Sequence, residues 1–191
     1  MIEVEIRGKL SEESYKRLKG QLSQSGEFRG SSRREMYLLR DYPGYDNDPT
    51  SREVDLRLRN TDGFCEIMLK YKADAGNHGR REVSLGLSEN TLDKAREVVK
   101  ALGCKHGLKM IRERETFILG GVEWVLINCP PKNIKFYEAE LMAKSEGEIP
   151  TIREKLVAQA RSLNVPPIIT DEDMREFLYM LDRQVNEEVE F

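Results

Sequence analysis

From its second residue the chain alternates, with Ile2, Val4 and Ile6 apolar and Glu3, Glu5 and Arg7 charged. An extended strand turns successive side chains to opposite faces, so this stretch has one dry face and one ionic face. The same period returns in Asp55-Leu56-Arg57-Leu58-Arg59, in Glu66 to Lys72, in Arg112-Glu113-Arg114 and in Phe136 to Leu141. Taken singly, such an alternating charge is ordinarily the solvated face of a half-buried antiparallel sheet. Five strands sharing it, two of them with Glu-x-Glu spacing, are better explained by ionic faces that converge on one interior.

Between the strands the period becomes helical. Ser11-Glu12-Glu13 opens a run with Tyr15, Leu18 and Leu22 that ends near Gly26. Residues 28–34 are basic and polar, and a strand follows over 35–41, stopped by Pro43-Gly44. The stretch from Tyr45 to Arg52 has turn composition. Strands over 53–59 and 64–72 meet at Asn60-Thr61-Asp62-Gly63, a hairpin signal. After a loop from Ala73 to Gly79 a strand over 80–85 is expected, then a helix capped by Ser88-Glu89-Asn90-Thr91, carrying Leu92, Ala95, Val98, Val99 and Leu102 and closed by Gly103. A second hairpin, 110–119 with 122–128, turns at Gly120-Gly121. Pro130-Pro131 breaks the chain before a last strand over 134–142. Helices follow after Pro150 and from Asp171, and the acidic tail over about 184–191 is expected to fray. About eight strands joined by tight turns pair antiparallel, and closing them into a barrel removes their edges. The fold class is therefore α+β, an eight-stranded antiparallel β-barrel with helices packed outside, as a single domain over 1–191.

Composition narrows the chemistry. The 191 residues suffice for one filled core, and no 18-residue apolar run or leader pattern is present, which leads us to expect a cytoplasmic protein without membrane contact. Cys65, Cys104 and Cys129 are too far apart for a zinc cluster and odd in number, so each is read as a packed thiol. His78 and His106 sit among Gly and Lys as surface residues. Charged residues make up 34% of the chain, yet the net charge is -3. That balance argues against general nucleic-acid binding, so local placement carries the information.

Collected by strand parity, the acids are Glu3, Glu5, Glu66, Glu82, Glu138 and Glu140, and the bases are Arg7, Arg57, Arg59, Lys70, Lys72, Arg112 and Arg114. If the faces converge, the interior has a cation-binding zone and an anion-binding zone. Magnesium and manganese take carboxylate oxygens, and two Glu-x-Glu pairs on neighbouring strands supply such a shell. Arginine forks match phosphate oxygens bidentately, while lysine offers a compact charge. A metal polyphosphate needs both zones.

These residues also carry a resemblance. Glu3-Val4-Glu5-Ile6-Arg7, Arg57-Leu58-Arg59, Lys70, Arg81-Glu82, Arg112-Glu113-Arg114 and Phe136-Tyr137-Glu138-Ala139-Glu140 appear in an order that resembles the CYTH superfamily, the triphosphate tunnel metalloenzymes, over nearly the whole chain. The resemblance implies an eight-stranded tunnel whose bases hold a triphosphate and whose acids hold Mg2+ or Mn2+. It implies Glu3, Glu5, Glu138 and Glu140 as metal ligands, with Glu82 a fifth. Arg7, Arg57, Arg59, Lys70, Arg112 and Arg114 would bind phosphate, Lys72 being added from parity, and Arg7, Arg112 and Glu5 are the catalytic choices.

Three positions depart from the family pattern: its first-strand lysine is Arg7, a later lysine is Arg112, and an aspartate before the last strand is Asn128. Arginine stays protonated and relays no proton, and Asn128 in place of an aspartate removes one candidate ligand charge. The leading expectation is metal-dependent hydrolysis of a small triphosphate: inorganic triphosphate, thiamine triphosphate or a nucleoside triphosphate. The alternatives are a class IV adenylyl cyclase, with Tyr37, Tyr42 and Trp124 as purine-pocket candidates, and a non-catalytic polyphosphate or nucleotide-binding module. Oligomeric state is left open, with a homodimer as one option.

Overall fold

The computed structural model describes residues 1–73, 79–88, 91–130 and 132–191. Most of the loop expected between Ala73 and Gly79, including His78, lies outside the described residues, as do Glu89 and Asn90 of the second helix cap and Pro131 of the Pro-Pro break.

Nine strands form one antiparallel sheet: β1 (Ile2–Leu10), β2 (Glu27–Leu39), β3 (Val54–Thr61), β4 (Phe64–Lys72), β5 (Gly79–Gly86), β6 (His106–Leu119), β7 (Val122–Cys129), β8 (Ile134–Ala143) and β9 (Glu187–Glu190). Their order is β2-β3-β4-β5-β1-β8-β7-β6-β9, and an added β2–β6 pairing closes the first eight into a ring. Two tight turns set the register. Asp62 and Gly63, at φ 50° and 95°, join β3 to β4, and Gly120 and Gly121, at 60° and 78°, join β6 to β7. Left-handed backbone at both central residues matches the twist of the flanking strands.

The apolar parity of the ring faces outward. Ile2, Val4, Ile6, Trp124, Leu126, Tyr137 and Ala139 are buried with Leu18 and Leu22 of α1 (Glu12–Ser25) and with Leu156 and Ala160 of a later helix, numbered α3 (Ile149–Ser162). Tyr37, Leu39 and Leu58 pack under Ala95 and Val99 of α2 (Leu92–Ala101). Close packing explains Gly8 in β1, where an added Cβ would lie 2.3 Å from the Tyr137 ring. The helix expected after Ser88 starts at an N-cap, Thr91, whose side chain makes no capping bond.

The fourth helix, α4 (Asp171–Gln184), lies differently. Its Phe177 and Leu181 pack on Val125, Ile127 and Phe136, residues of the inward parity, so it covers one end of the ring. Arg175 ties it to the 41–53 segment through Asp48 at 3.0 Å and Thr50 at 3.2 Å.

Two expectations are corrected. The strand expected over 35–41 runs instead from Glu27 to Leu39, with a bulge between Phe28 and Gly30, and pairs with β6 along nearly its whole length. The tail does not fray, because β9 pairs with the first residues of β6, Gly107 opposite Val189 and Leu108 opposite Glu188, while β7 occupies that edge from Glu113 onward.

Candidate active site

The inward parity lines a cavity of about 360 Å³. Glu3, Glu5 and Arg7 reach it from β1, Arg57 and Arg59 from β3, Lys70 from β4, Glu82 from β5, Arg112 and Arg114 from β6, and Glu138 and Glu140 from β8. Of the residues collected from the sequence, Glu66 and Lys72 are not among its lining, and Lys72 turns to a loop. It ends its strand, and its ammonium bonds the Ser51 carbonyl at 2.9 Å and Glu53 at 3.2 Å, in the neighbouring loop.

The acids gather on the β1–β8 wall. Ligand oxygens of Glu3, Glu5 and Glu140 lie within 4.8 Å of one another. Glu5 and Glu140 face each other directly across the two strands, as do Arg7 and Glu138. Two cations are interleaved. Arg7 bonds Glu5 at 2.8 Å and Glu138 at 3.0 Å, while Lys70 bonds Glu3 and stands 3.7 Å from Glu5. Burial alone would raise the Glu5 carboxyl, but Arg7 and Lys70 outweigh it and bring it down to about 2. Glu140 has no bonded cation among the described residues, and burial with Glu138, Glu3 and Glu5 nearby pushes it up to about 9. This wall is short of positive charge. Three convergent carboxylates, one without a cation, fit the oxygen ligands that a hard divalent ion takes. Glu82 stands apart, bonding Arg59 at 2.9 Å while Glu66 holds the same guanidinium at 2.6 Å.

Diametrically across the ring, β2 and its neighbours carry the bases. Arg112 donates to the Ile111 carbonyl and, at 2.7 Å, to Asn186 after α4. Arg57 is held by Asp55 at 2.7 Å, and Asp55 also takes Arg52 at 2.9 Å. Asp55, Arg52, Arg80, Glu123 and Arg34 line the cavity too and were not singled out from the sequence. Strand parity was the available signal for Asp55 and Arg80, which share the inward register of Arg57 and Glu82. Glu123 faces Glu140 across β7 and β8.

The Asn128 departure has a different meaning from the one expected. Asn128 has the outward parity of β7 and donates to Glu113 at 2.8 Å in an outer groove, so no charge is missing there from the acid wall. The purine-pocket candidates also point away: Trp124 is in the outer core, Tyr37 packs under α2, and the Tyr42 hydroxyl bonds the Val54 carbonyl.

A closed antiparallel ring with an acidic wall facing a basic one defines a charged tunnel. A family model described as the CYTH domain matches residues 1–172, and the chain belongs to that family, whose members are typically triphosphatases or cyclases and are metal-dependent in general. Solved structures agree in fold. The PH1819 protein from Pyrococcus horikoshii OT3 is 28% identical with a TM-score of 0.72, covering 93% of this chain and 98% of that one. A candidate adenylate cyclase from Vibrio parahaemolyticus is 16% identical at a TM-score of 0.63, covering 93% and 98%. A candidate adenylyl cyclase from Hippeastrum, described as having a dominant triphosphatase activity, is 15% identical at 0.54, covering 89% and 90%. A search of curated proteins returned no match. Among the described residues no helix is long and apolar enough to cross a membrane.

Proposed function

We propose that the chain is a metal-dependent phosphohydrolase that cleaves a compact triphosphate, inorganic triphosphate above all, inside the tunnel. The observation that carries this reading is the opposition of the two walls: the acid cluster of Glu3, Glu5 and Glu140 faces arginines across one cavity. A triphosphate held dry needs several cationic partners, and the arginine wall supplies them.

Glu3, Glu5 and Glu140, with Glu138 beside them, would hold Mg2+ or Mn2+, and the bound ion would supply charge neutralisation and an activated water. Arg57, Arg59, Lys70, Arg112 and Arg114 bind phosphoryl oxygens and stabilise charge on the group being transferred. Arg7 works from the acid side, where its two ion pairs fix the Glu5 and Glu138 carboxylates. Lys70 stands beside the acid cluster, donating to Glu3 with its ammonium at the cavity surface.

The outward placement of Tyr37, Tyr42 and Trp124 favours a substrate without a purine. The test is a phosphate-release screen of pure protein with inorganic triphosphate, thiamine triphosphate and ATP, each with Mg2+ and with Mn2+. Orthophosphate from triphosphate is the expected result. Cyclic AMP with pyrophosphate from ATP would move the assignment to a cyclase, and tight binding with no turnover in either metal would make the chain a binding module.

A further inference from the structure

Resting on the reading above, we propose that Arg34 is a substrate-binding residue of the tunnel, a ligand to phosphoryl oxygens on the side away from the acid cluster. Residues 28–34 lack alternation in sequence, and only the strand register shows where Arg34 points. It stands opposite Thr61 of β3 and Arg112 of β6, in the inward parity shared by Met36 and Met110. It lines the cavity with Arg59, Arg112 and Arg114, so three adjacent strands aim four guanidinium groups at one space. The ring order puts β2 four strands from β1 in either direction, directly across from the acids.

What distinguishes Arg34 is how little neutralises it. Arg57 and Arg59 each bond a carboxylate. Among the described residues Arg34, Arg112 and Arg114 bond none; the Arg34 Nε donates to the neutral Thr61 hydroxyl at 3.1 Å, and Arg112 to neutral oxygens. Burial, with Arg114 and Arg59 adding repulsion, draws the Arg34 guanidinium down to about 10. A half-buried cation set among cations weakens the empty protein, and a bound polyanion removes that cost. Three guanidinium groups without carboxylates also match the three to four negative charges that a triphosphate carries near neutral pH.

The two roles an arginine could play here move stability in opposite directions. If Arg34 served the fold, Arg34→Gln would lower the melting temperature. As a ligand held against repulsion, its replacement should raise the melting temperature of the empty protein while weakening inorganic triphosphate, measured by calorimetry without metal, by about tenfold to a hundredfold. Arg34→Lys, which keeps the charge but loses the fork, should fall between. Unchanged triphosphate affinity in Arg34→Gln, or a lost affinity accompanied by a lower melting temperature in both variants, overturns the proposal. Turnover is read separately: if the parent binds triphosphate through Arg34 yet releases no phosphate with either metal, the hydrolase reading fails and the Arg34 assignment stands. A parent that binds no triphosphate ends both.

Discussion

Within the acid cluster, Glu140 is the carboxylate that bonds no cation among the described residues, since Arg7 and Lys70 are shared among Glu3, Glu5 and Glu138. Its folded pKa, about 9, lies above the ordinary carboxylate value, so between those limits the metal-free folded chain holds a proton that the unfolded chain has released. The stability linked to this group is therefore fully present at acid pH and is lost as pH rises through about 9. Glu140→Gln keeps the neutral form at every pH. In chelator it should stabilise the protein by about 1 to 2 kcal/mol at pH 8, once solvent screening is discounted, and by nothing measurable near pH 4. Melting curves across that range check it. Metal binding should displace the same proton, so calorimetry at neutral pH in buffers of different ionisation enthalpy should show proton release. Parity made Glu140 legible in the sequence, because its strand alternates without interruption. Arg34 escaped notice because β2 begins in a stretch exposed on both faces, where alternation has nothing to report. Asn128 was misjudged because its facing depends on the β7 register, which the hairpin turn fixes and the composition does not.

Among the elements, β1 is the most constrained. Its outward residues meet α1 and α3, its inward residues build the acid wall, and Gly8 lets the Tyr137 ring close over it while the Tyr137 hydroxyl bonds the Val165 carbonyl at 3.0 Å. Gly8→Ala should cost about 1 to 3 kcal/mol by forcing that ring aside, which denaturant unfolding would measure. Both hairpins and all four helices could be read from period and turn residues. The place of α4 could not. Its stripe of Phe177 and Leu181 is an ordinary amphipathic signal, and nothing local tells whether such a stripe meets the outer or the inner face of a barrel. The partner residues Val125, Ile127 and Phe136 do tell, because they replace charge with apolar surface where the inward parity continues past Glu123 and Glu138.

For the whole molecule, separating the walls separates two binding functions. Changing Glu138 and Glu140 together to Gln should abolish metal-dependent phosphate release while triphosphate binding without metal persists or tightens. Changing Arg57 and Arg59 to Ala should instead weaken triphosphate, each lost charge-assisted contact costing about 1.5 to 3 kcal/mol, and should also free Glu66 and Glu82 from their ion pairs while leaving Asp55 with Arg52 alone. Calorimetry and phosphate release measured on both variants distinguish these outcomes. If the Gln variant releases phosphate as fast as the parent, carboxylate-held metal has no part in the reaction.

In the ring of eight strands, the first residues of β6 lie beyond the reach of β7. β6 is longer than β7, and the backbone of its first residues would present unpaired N–H and C=O groups to solvent if β9 did not lie along them. Such a bare edge is a template for another chain, and the four residues of β9 shield it from one. Their charge fits that task, since Glu187, Glu188 and Glu190 make the outermost strand repellent to a second copy. The acidic tail is therefore expected to limit self-association along this edge. Val189→Pro removes the amide that faces Gly107 and should leave the tunnel and its triphosphate binding intact, while light scattering on warming reports self-association well below the temperature at which the parent clouds.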